Sequence, residues 1–454
     1  MNGLRAWIAI VRMGLVQTAL GGIVVLCLSV FNRVMTVELA LAASIPGVLV
    51  TIHHVVQLSR PRWGYGADVS GRRTPWIIGG MAVLALGSVV AVFATAWSAH
   101  SPFAGSALGV LGYVLIGVGV GAAGTNLLAL LAWGVAPTRR AAAAATVWLM
   151  MIVGFIVTTA VTGALLDPFS LTQLINVTVA VAVVCFVLSV IAILGVERSL
   201  ERGRVDTRED EAQENFRDVF TTIWADPKAR AFTMFVAVSM LAYGMQDLIL
   251  EPFAGKVFGL SPGDSTKLSS SQYQGAFFGM ILAGAFAGRK NDRFGSIRLW
   301  TVSGCVASGI ALAGLAFSPY AQAVADFNWP LKANVMALGF FNGVFAIAAI
   351  SWMMTLAGEG EKAREGSRMG LWGAAQAVGT ALGAFVGASS VDLFGLLAGA
   401  SASTPFVAVF AIEAAVFVAA GLFAARMERV AHLTEDRTSN RGTLALAAAG
   451  GHHD

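Results

Sequence analysis

Long apolar stretches separated by short polar segments recur along the whole chain. A stretch of about 20 apolar residues is long enough to cross the hydrocarbon core of a membrane as one helix. Twelve such stretches occupy residues 10–30, 37–58, 75–97, 106–131, 143–165, 171–195, 229–250, 270–288, 298–318, 333–357, 368–390 and 404–425. The pattern predicts an all-α membrane protein with twelve transmembrane helices.

The second half of the chain repeats the first. The segment GYGADVSGRR at residues 64–73 returns in degraded form as GRKNDRFGSI at 288–297, so that Asp68 and Asp292 are 224 residues apart (292 − 68 = 224). A constant offset identifies a duplicated unit, and duplicated halves in an apolar chain are typical of secondary transporters. We therefore predict a six-helix bundle at residues 1–195, a cytoplasmic linker at 196–228, a second six-helix bundle at 229–425 and a disordered cytoplasmic tail at 426–454.

The linker is predicted to contain an amphipathic helix. Its first part is too charged to be buried and is predicted to be solvated. Its second part has apolar side chains at helical spacing, which indicates a helix lying on the membrane surface; they are Phe216, Val219, Phe220, Ile223 and Trp224.

Composition and charge also indicate a membrane protein. The 454 residues are 57% hydrophobic and only 12% charged, about half the charged fraction of a typical soluble domain. Lysine and arginine mark cytoplasmic loops, and of the 30 in the chain only Arg33, Lys256, Lys267 and Lys332 fall on the other side of the predicted membrane. Both termini are therefore predicted to be cytoplasmic, and the net charge of +4 reflects this asymmetry rather than a nucleic-acid partner.

The sequence shows no pattern of catalytic or metal-binding residues. The three cysteines, Cys27, Cys185 and Cys305, lie in predicted helices at spacings that suggest neither a metal site nor a redox pair. The chain has no glycine-rich phosphate loop, HExxH helix or hydrolase elbow. We therefore expect no metal, no catalytic residue and no enzymatic activity.

The segment at 64–73 resembles the signature loop of the major facilitator superfamily. The elements of that signature are all present, as Gly64, Asp68, Gly71, Arg72 and Arg73. A tight turn there would bring one carboxylate and two guanidinium groups together at the cytoplasmic ends of the helices. We predict that this cluster, the cytoplasmic latch, holds that side closed, the alternative being a positive-inside topology signal only.

The second copy of the latch is less complete. It keeps Asp292 and Gly295 but has Ser296 and Ile297 where the arginines stood. We therefore expect a weaker latch in the second half.

Four further segments resemble the PucC-type family of photosynthetic bacteria, a branch of the same superfamily. They lie at residues 29–41, 57–87, 243–259 and 364–379, and MQDLILEPFAG within the third is the most specific. The short loop after the second helix is most like that of the branch labelled bacteriochlorophyll synthase 44.5 kDa chain. Because the segments span both halves, the resemblance covers the whole membrane domain.

The resemblance implies a function in pigment handling. Such a protein delivers or holds bacteriochlorophyll, or a precursor, while photosynthetic complexes are assembled, by rocking of its two six-helix halves. It implies a place in the bacterial inner, intracytoplasmic photosynthetic membrane, with light-harvesting or reaction-centre subunits and pigment-synthesis enzymes as partners. No intrinsic cofactor is implied.

Polar residues inside the helices form the remaining candidate sites. In the fold that the resemblance implies, the first, fourth, seventh and tenth helices line a central cavity, and their interior polar residues are Gln17, Asn126, Tyr243, Gln246, Asp247 and Asn342. Few of them are charged, which suits a large, mostly apolar ring with polar edges.

Asp247 and Glu251 are four apart on the seventh helix and so share a face. Ionisable groups inside a membrane are costly and by default functional candidates. The 224 offset places Glu251 level with Cys27 (251 − 224 = 27), and Arg33 ends the first helix at nearly the same depth. We predict that Arg33 pairs with Glu251 or Asp247 and closes the outer mouth; proton coupling by a carboxylate and a purely structural ion pair are alternatives. Pro252 is expected to end or kink the seventh helix.

His53 and His54 lie in the cytoplasmic half of the second helix. A neutral imidazole is a common metal ligand, and either residue could bind the central magnesium of a bacteriochlorophyll. Successive residues on a helix point about 100° apart, so both cannot face one partner. The alternative is a pair of polar residues at a helix contact.

Two other functions are compatible with the sequence. One is a proton-coupled major facilitator transporter of a small amphipathic molecule. The other is a scaffold that organises antenna subunits without binding pigment. Fold alone does not separate them.

Overall fold

The helices of the second bundle follow those of the first in the same order, as the repeat predicts. A computed structural model describes residues 3–135, 137–201, 224, 227–286, 296–325, 327–358, 365–398 and 402–449. Its long helices are α1 (Leu4–Glu38), α2 (Ser44–Val56), α3 (Thr74–Ser98), α4 (Pro102–Gly134), α5 (Pro137–Leu165), α6 (Leu171–Ile193), α7 (Pro227–Phe258), α8 (Pro262–Phe286), α9 (Ile297–Ala325), α10 (Leu331–Gly358), α11 (Glu365–Ala398) and α12 (Thr404–Ala449).

The helices correspond one for one to the twelve predicted stretches. Within the described residues, ten are long and apolar enough to cross a membrane. The other two are α2, which is shorter, and α8, whose first half is rich in hydroxyl and amide side chains. The prediction of an all-α membrane protein is confirmed.

The first helix differs from its prediction. It continues to Glu38 instead of ending near residue 30, and it contains two π-helical segments, Leu26–Val30 and Val34–Glu38. As a result α2 begins at Ser44, seven residues later than predicted. The helix continues because the polar residues that interrupt its apolar run find partners inside the protein.

The signature segment is also more helical than predicted. A short helix, Arg60–Ser70, covers most of it after the turn Gln57–Ser59, and only residues 71–73 form the turn into α3. Gly71 has a φ of 67°, a left-handed conformation that glycine adopts at little cost. The tight turn is therefore confined to Gly71 and the two arginines.

The linker and tail can be compared with their predictions only in part. A short helix, Val196–Glu201, follows α6, whereas the amphipathic helix predicted at 216–224 lies outside the described residues except for Trp224. The twelfth helix extends to Ala449, into the segment for which we expected disorder; the alanine, leucine, arginine and glutamate residues there are good helix formers. The division into domains stays a prediction.

The two bundles meet through α5 with α8, through α2 with α11, and through α1 with α7. Two glycines make one of the close approaches between the halves, since a Cβ atom at Gly163 of α5 would lie 2.7 Å from the carbonyl oxygen of Gly263 in α8. The alternating helices place these contacts toward the end of the bundle that holds the α1–α2 and α7–α8 connections. We call this the Arg33 end, and the opposite end, with the turn at 71–73, the Arg73 end.

Candidate functional site

Arg33 is buried in α1 and ties three parts of the chain together. Its Nη1 lies 2.7 Å from Oε1 of Glu38, its Nε donates to Oγ of Ser265 at 2.8 Å, and its Nη2 donates to the carbonyl oxygen of Leu260 at 2.7 Å. Ser265 belongs to α8 and Leu260 to the connection before it. The guanidinium group therefore joins the first half to the second at the Arg33 end.

The predicted pairing of Arg33 with Glu251 or Asp247 is wrong, because its ionic partner is Glu38. Glu38 follows Arg33 by five residues, and a π-helical segment brings residues i and i+5 onto one face. An α-helix would have turned Glu38 away. Arg33 does contact the second half, through Ser265 of α8 and the Leu260 carbonyl before it, and the closure of an outer mouth by this residue stays a prediction.

Glu251 is held by hydroxyl groups instead. Its Oε1 accepts hydrogen bonds from Ser29 of α1 and from Ser269 of α8, the latter at 2.6 Å. The residue is buried, and its Oε2 has no hydrogen-bond partner. Three helices from both halves thus meet at this carboxylate.

Asn32 compensates for the proline in α7. The helix continues through Pro252 to Phe258, so the proline does not end it. Because proline has no N–H, the carbonyl oxygen of Leu248, four residues earlier, has no helical donor. Nδ2 of Asn32 donates to that carbonyl, which satisfies it from the other half of the protein.

Asp247 faces a more open environment than Glu251. It is half-buried and lies within electrostatic range of Tyr243, Tyr273 and Glu413. Glu413 in α12 is a residue that our sequence reasoning missed. It is the single carboxylate in the apolar stretch at 404–425, and that isolation was the available signal.

The predicted cavity residues have different surroundings. Gln17 is buried and donates to Sδ of Met151 at 3.2 Å. Asn126 is buried and donates to the carbonyl oxygens of Ala122 at 2.9 Å and Trp63 at 3.3 Å. Tyr243 is half-buried. The side-chain nitrogen and oxygen atoms of two further residues are buried without a partner; these residues are Gln246 and Asn342.

His53 and His54 pack edge to face, with ring centroids 4.9 Å apart, but they differ in access. His53 is buried, and its Nε2 lies 2.8 Å from Nε2 of Gln57. His54 is half-buried, and its Nδ1 lies 2.9 Å from the carbonyl oxygen of Val50. A carbonyl can only accept, so Nδ1 of His54 carries a proton, and in the neutral imidazole Nε2 then keeps its lone pair.

The face of α2 that carries His54 turns toward the other half of the protein. Thr51, one turn earlier on the same face, donates to the carbonyl oxygen of Ala381 in α11 at 3.3 Å. His54 therefore lies beside the boundary between the two bundles, one turn closer to the Arg73 end.

The cytoplasmic latch can be judged only in part. Gly64 lies in the short helix and Gly71 in the turn, whereas the side chain of Asp68 is outside the described part, as are Asp292 and Gly295 entirely. Arg72 is exposed, and the guanidinium group of Arg73 lies 5.8 Å from the ring centroid of Trp133. The proposed pairing of Asp68 with an arginine stays a prediction.

A different carboxylate holds the start of α3. Glu197, just after α6, accepts from the backbone N–H groups of Arg73 at 2.7 Å and Thr74 at 2.9 Å, and from Oγ1 of Thr74 at 2.6 Å. The free N–H groups at a helix start favour a carboxylate. This contact fastens the turn at 71–73 to its own half.

The Arg33 end has an equivalent contact between the halves. Asp392 of α11 accepts from the backbone N–H of Ala43 at 2.8 Å and of Ser44 at 2.7 Å, at the start of α2. Together with Arg33, Glu251 and the Gly163–Gly263 approach, it closes that end of the boundary.

The sequence of this chain matches a known protein family. The model of a family described as PUCC protein matches residues 30–431. The bacteriochlorophyll synthase 44.5 kDa chain of Rhodobacter capsulatus is 46% identical over 92% of this chain and 95% of its own length. Protein PucC of Cereibacter sphaeroides is 29% identical over 89% of this chain and 88% of its own length.

Solved structures show the same fold at low sequence identity. The nucleoside transporter NupG superposes with a TM-score of 0.68 at 15% identity, over 94% of this chain and 99% of its own. A bacterial homologue of the human lysosomal transporter Spinster gives 0.63 at 16% identity, over 94% and 96%. The chain therefore has the fold of the major facilitator transporters.

Proposed function

Because the chain belongs to the PUCC protein family, we propose that it binds bacteriochlorophyll, or a precursor of it, and delivers or holds the pigment while light-harvesting and photosynthetic complexes are assembled. The name of its relative in Rhodobacter capsulatus refers to bacteriochlorophyll, and that relative matches over nearly its whole length. In this proposal the protein is not an enzyme and releases the pigment chemically unchanged. Its partners are antenna or reaction-centre subunits and pigment-synthesis enzymes.

The observation that supports pigment binding most directly is the state of His54. Ligating histidines donate the second ring N–H to a backbone carbonyl or carboxylate, which fixes the tautomer and orients the ring. His54 has this arrangement through Val50. Its Nε2 is thus available to bind the magnesium at the centre of a bacteriochlorophyll, whereas Nε2 of His53 is engaged by Gln57.

The proposed mechanism is a rocking motion of the two bundles. In this mechanism the contacts at the Arg33 end hold that side closed. The positive-inside pattern supports a model in which this end faces outward and both termini lie in the cytoplasm, and the membrane in this proposal is the bacterial inner, photosynthetic membrane. Pigment would enter and leave beside His54 toward the Arg73 end. The contacts of Glu197 keep α3 and the turn at 71–73 moving with the first bundle.

The test is to purify the protein from a phototrophic host and record its absorption spectrum. We expect bacteriochlorophyll bands, and mass spectrometry of the extracted pigment should show an unmodified molecule. Protein that is free of pigment, from cells that contain the pigment, contradicts the proposal. A pigment altered by incubation with the protein contradicts the absence of enzymatic activity.

A matched pair of variants tests the ligand. His54→Leu should lower the amount of co-purified pigment and shift its long-wavelength band, because the axial nitrogen is lost. His53→Leu removes an adjacent imidazole of the same size and should leave both unchanged, provided that the purified protein is monodisperse. Equal effects of the two substitutions, or none, rule out His54 as the ligand.

The second candidate function is proton-coupled transport of a small amphipathic molecule. It is favoured by Asp247, a half-buried carboxylate inside the membrane domain, since such groups carry coupling protons in transporters. Uptake of solute into proteoliposomes that is driven by a pH gradient and lost in Asp247→Asn would support it over pigment delivery.

A further inference from the structure

Three polar side chains are buried inside the second bundle without any hydrogen-bond partner. They are Gln246 of α7, Asn342 of α10 and Glu413 of α12, all at most 3% exposed. Both polar side-chain atoms of each residue lack a partner. A buried polar group that is left unsatisfied costs about 1–3 kcal/mol, and more if it is charged.

Aromatic contacts show that Asn342 and Glu413 lie on faces of their helices that turn to the interior of the second bundle. Phe345 of α10 packs on Phe417 of α12 with ring centroids 6.2 Å apart. Asn342 and Glu413 precede these rings by three and four residues, so each lies on the same face one turn away. Both helices run in the same direction, so the two polar residues lie on the same side of this ring pair along the bundle.

The seventh helix brings Gln246 to the same interior. Phe235 contacts Phe345 at 6.1 Å, and Phe253 contacts Phe410 of α12 at 5.0 Å between ring centroids. Gln246 follows Phe235 by eleven residues and precedes Phe253 by seven, which are close to three and two whole helical turns. It therefore faces inward between these two layers of aromatic rings.

The buried polar groups of this interior that have no partner are the amides of Gln246 and Asn342 and the carboxylate of Glu413. The ring of Phe345 in α10 contacts a phenyl ring of α7 and one of α12. One turn away along α10 and α12, the side chains are those of Asn342 and Glu413, which are shorter than phenylalanine. Glu413 also lies within electrostatic range of Asp247, and the one buried guanidinium among the described residues near this region, that of Arg33, is already paired with Glu38.

We propose that Gln246, Asn342 and Glu413 form a binding site for one monovalent cation inside the second bundle. Carboxylate and amide oxygens are the ligands that hard cations prefer, and one positive charge neutralises the one carboxylate in the site. A charge in the membrane interior is costly unless it is paired, so the cation stabilises the bundle. Sodium and the proton are the two sources of such a charge.

The test measures thermal unfolding of the purified full-length protein, without pigment, by intrinsic fluorescence. Sodium chloride replaces choline chloride at constant ionic strength and pH. We expect the midpoint temperature to rise with sodium and to saturate, and Glu413→Gln to abolish the rise. Asn342→Leu keeps the carboxylate but removes an oxygen ligand, and should raise the half-saturating sodium concentration about tenfold or more, since affinity follows the number of ligands.

Asp264→Asn is the matched control, because it removes one carboxylate that is half exposed at the start of α8; it should respond to sodium like the unsubstituted protein. If sodium has no effect but the midpoint depends on pH, and Glu413→Gln removes that dependence, the bound cation is a proton. If Glu413→Gln does not fold, the half-saturating sodium concentration of Asn342→Leu tests the proposal instead. A protein whose stability responds to neither cation, or whose response survives the substitutions, overturns the proposal.

Discussion

Replacing Gly163 should loosen the Arg33 end of the boundary between the two bundles. A Cβ atom at this position would lie 2.7 Å from the carbonyl oxygen of Gly263, and one at Gly263 would lie 2.6 Å from that of Gly163. Ordinary contact begins near 3.4 Å, so α5 and α8 must separate by roughly 0.7 Å (3.4 − 2.7 = 0.7) in Gly163→Ala.

The energetic consequence follows from the packing. Overpacking by one or a few methyl groups costs about 1–3 kcal/mol. The clash exists only while the Arg33 end is closed, so the substitution destabilises the closed state and leaves the open state unaffected. A coupling of this size corresponds to a shift of about 5- to 150-fold in the equilibrium between closed and open forms.

The assay is the distance between two spin labels at the Arg33 end. The labels are attached to cysteines that replace the exposed Ala99 and Ala323, which lie at this end on different halves. The three native cysteines are buried, so they do not compete for the label. Gly163→Ala should move the distance distribution toward longer separations. Gly79→Ala, on α3 where a Cβ meets nothing within 4 Å, is the control. Gly163→Leu places a larger side chain at the same position. If the distance distribution of this variant is unchanged although the protein is folded, the proposed role of the contact is refuted.

Three other substitutions test separate contacts. Asn32→Leu leaves the Leu248 carbonyl without a donor and should destabilise the protein by about 1–3 kcal/mol in urea titrations, an effect that should vanish if Pro252→Ala supplies the missing N–H. Arg33→Glu should be rescued in the spin-label assay by Glu38→Arg, and rescue by Glu251→Arg instead would contradict the observed ion pair. Glu197→Ala removes the acceptor at the start of α3 and should lower the midpoint of thermal unfolding by an amount that corresponds to about 0.5–2 kcal/mol, with no change in the separation at the Arg33 end.

The sequence predicts the helices well because their signal is long and periodic. Each of the twelve apolar stretches corresponds to a helix, and the 224-residue offset predicts the repeated order. The predicted helix boundaries are wrong where polar residues form hydrogen bonds with residues that are distant in sequence. The stretch ending near residue 30 gave no sign that Asn32 and Arg33 continue the helix, since each has a partner in the second half, more than 200 residues away.

Pairing inside the membrane is harder to predict from spacing. The α-helical period that put Asp247 and Glu251 on one face could not anticipate a π-helical segment that turns Glu38 toward Arg33. Glu413 shows the opposite case, because a lone carboxylate in an apolar stretch is visible in the sequence. The sequence alone does not predict the helix packing that buries Glu413 completely.

Pigment binding itself is tested most directly by titrating the purified protein, reconstituted in lipid nanodiscs, with bacteriochlorophyll. The same titration is made with its magnesium-free derivative and with empty nanodiscs. We predict saturable quenching of tryptophan fluorescence at one pigment per chain, with weaker binding of the magnesium-free pigment. Non-saturating quenching that scales with lipid alone would contradict a pigment-binding protein.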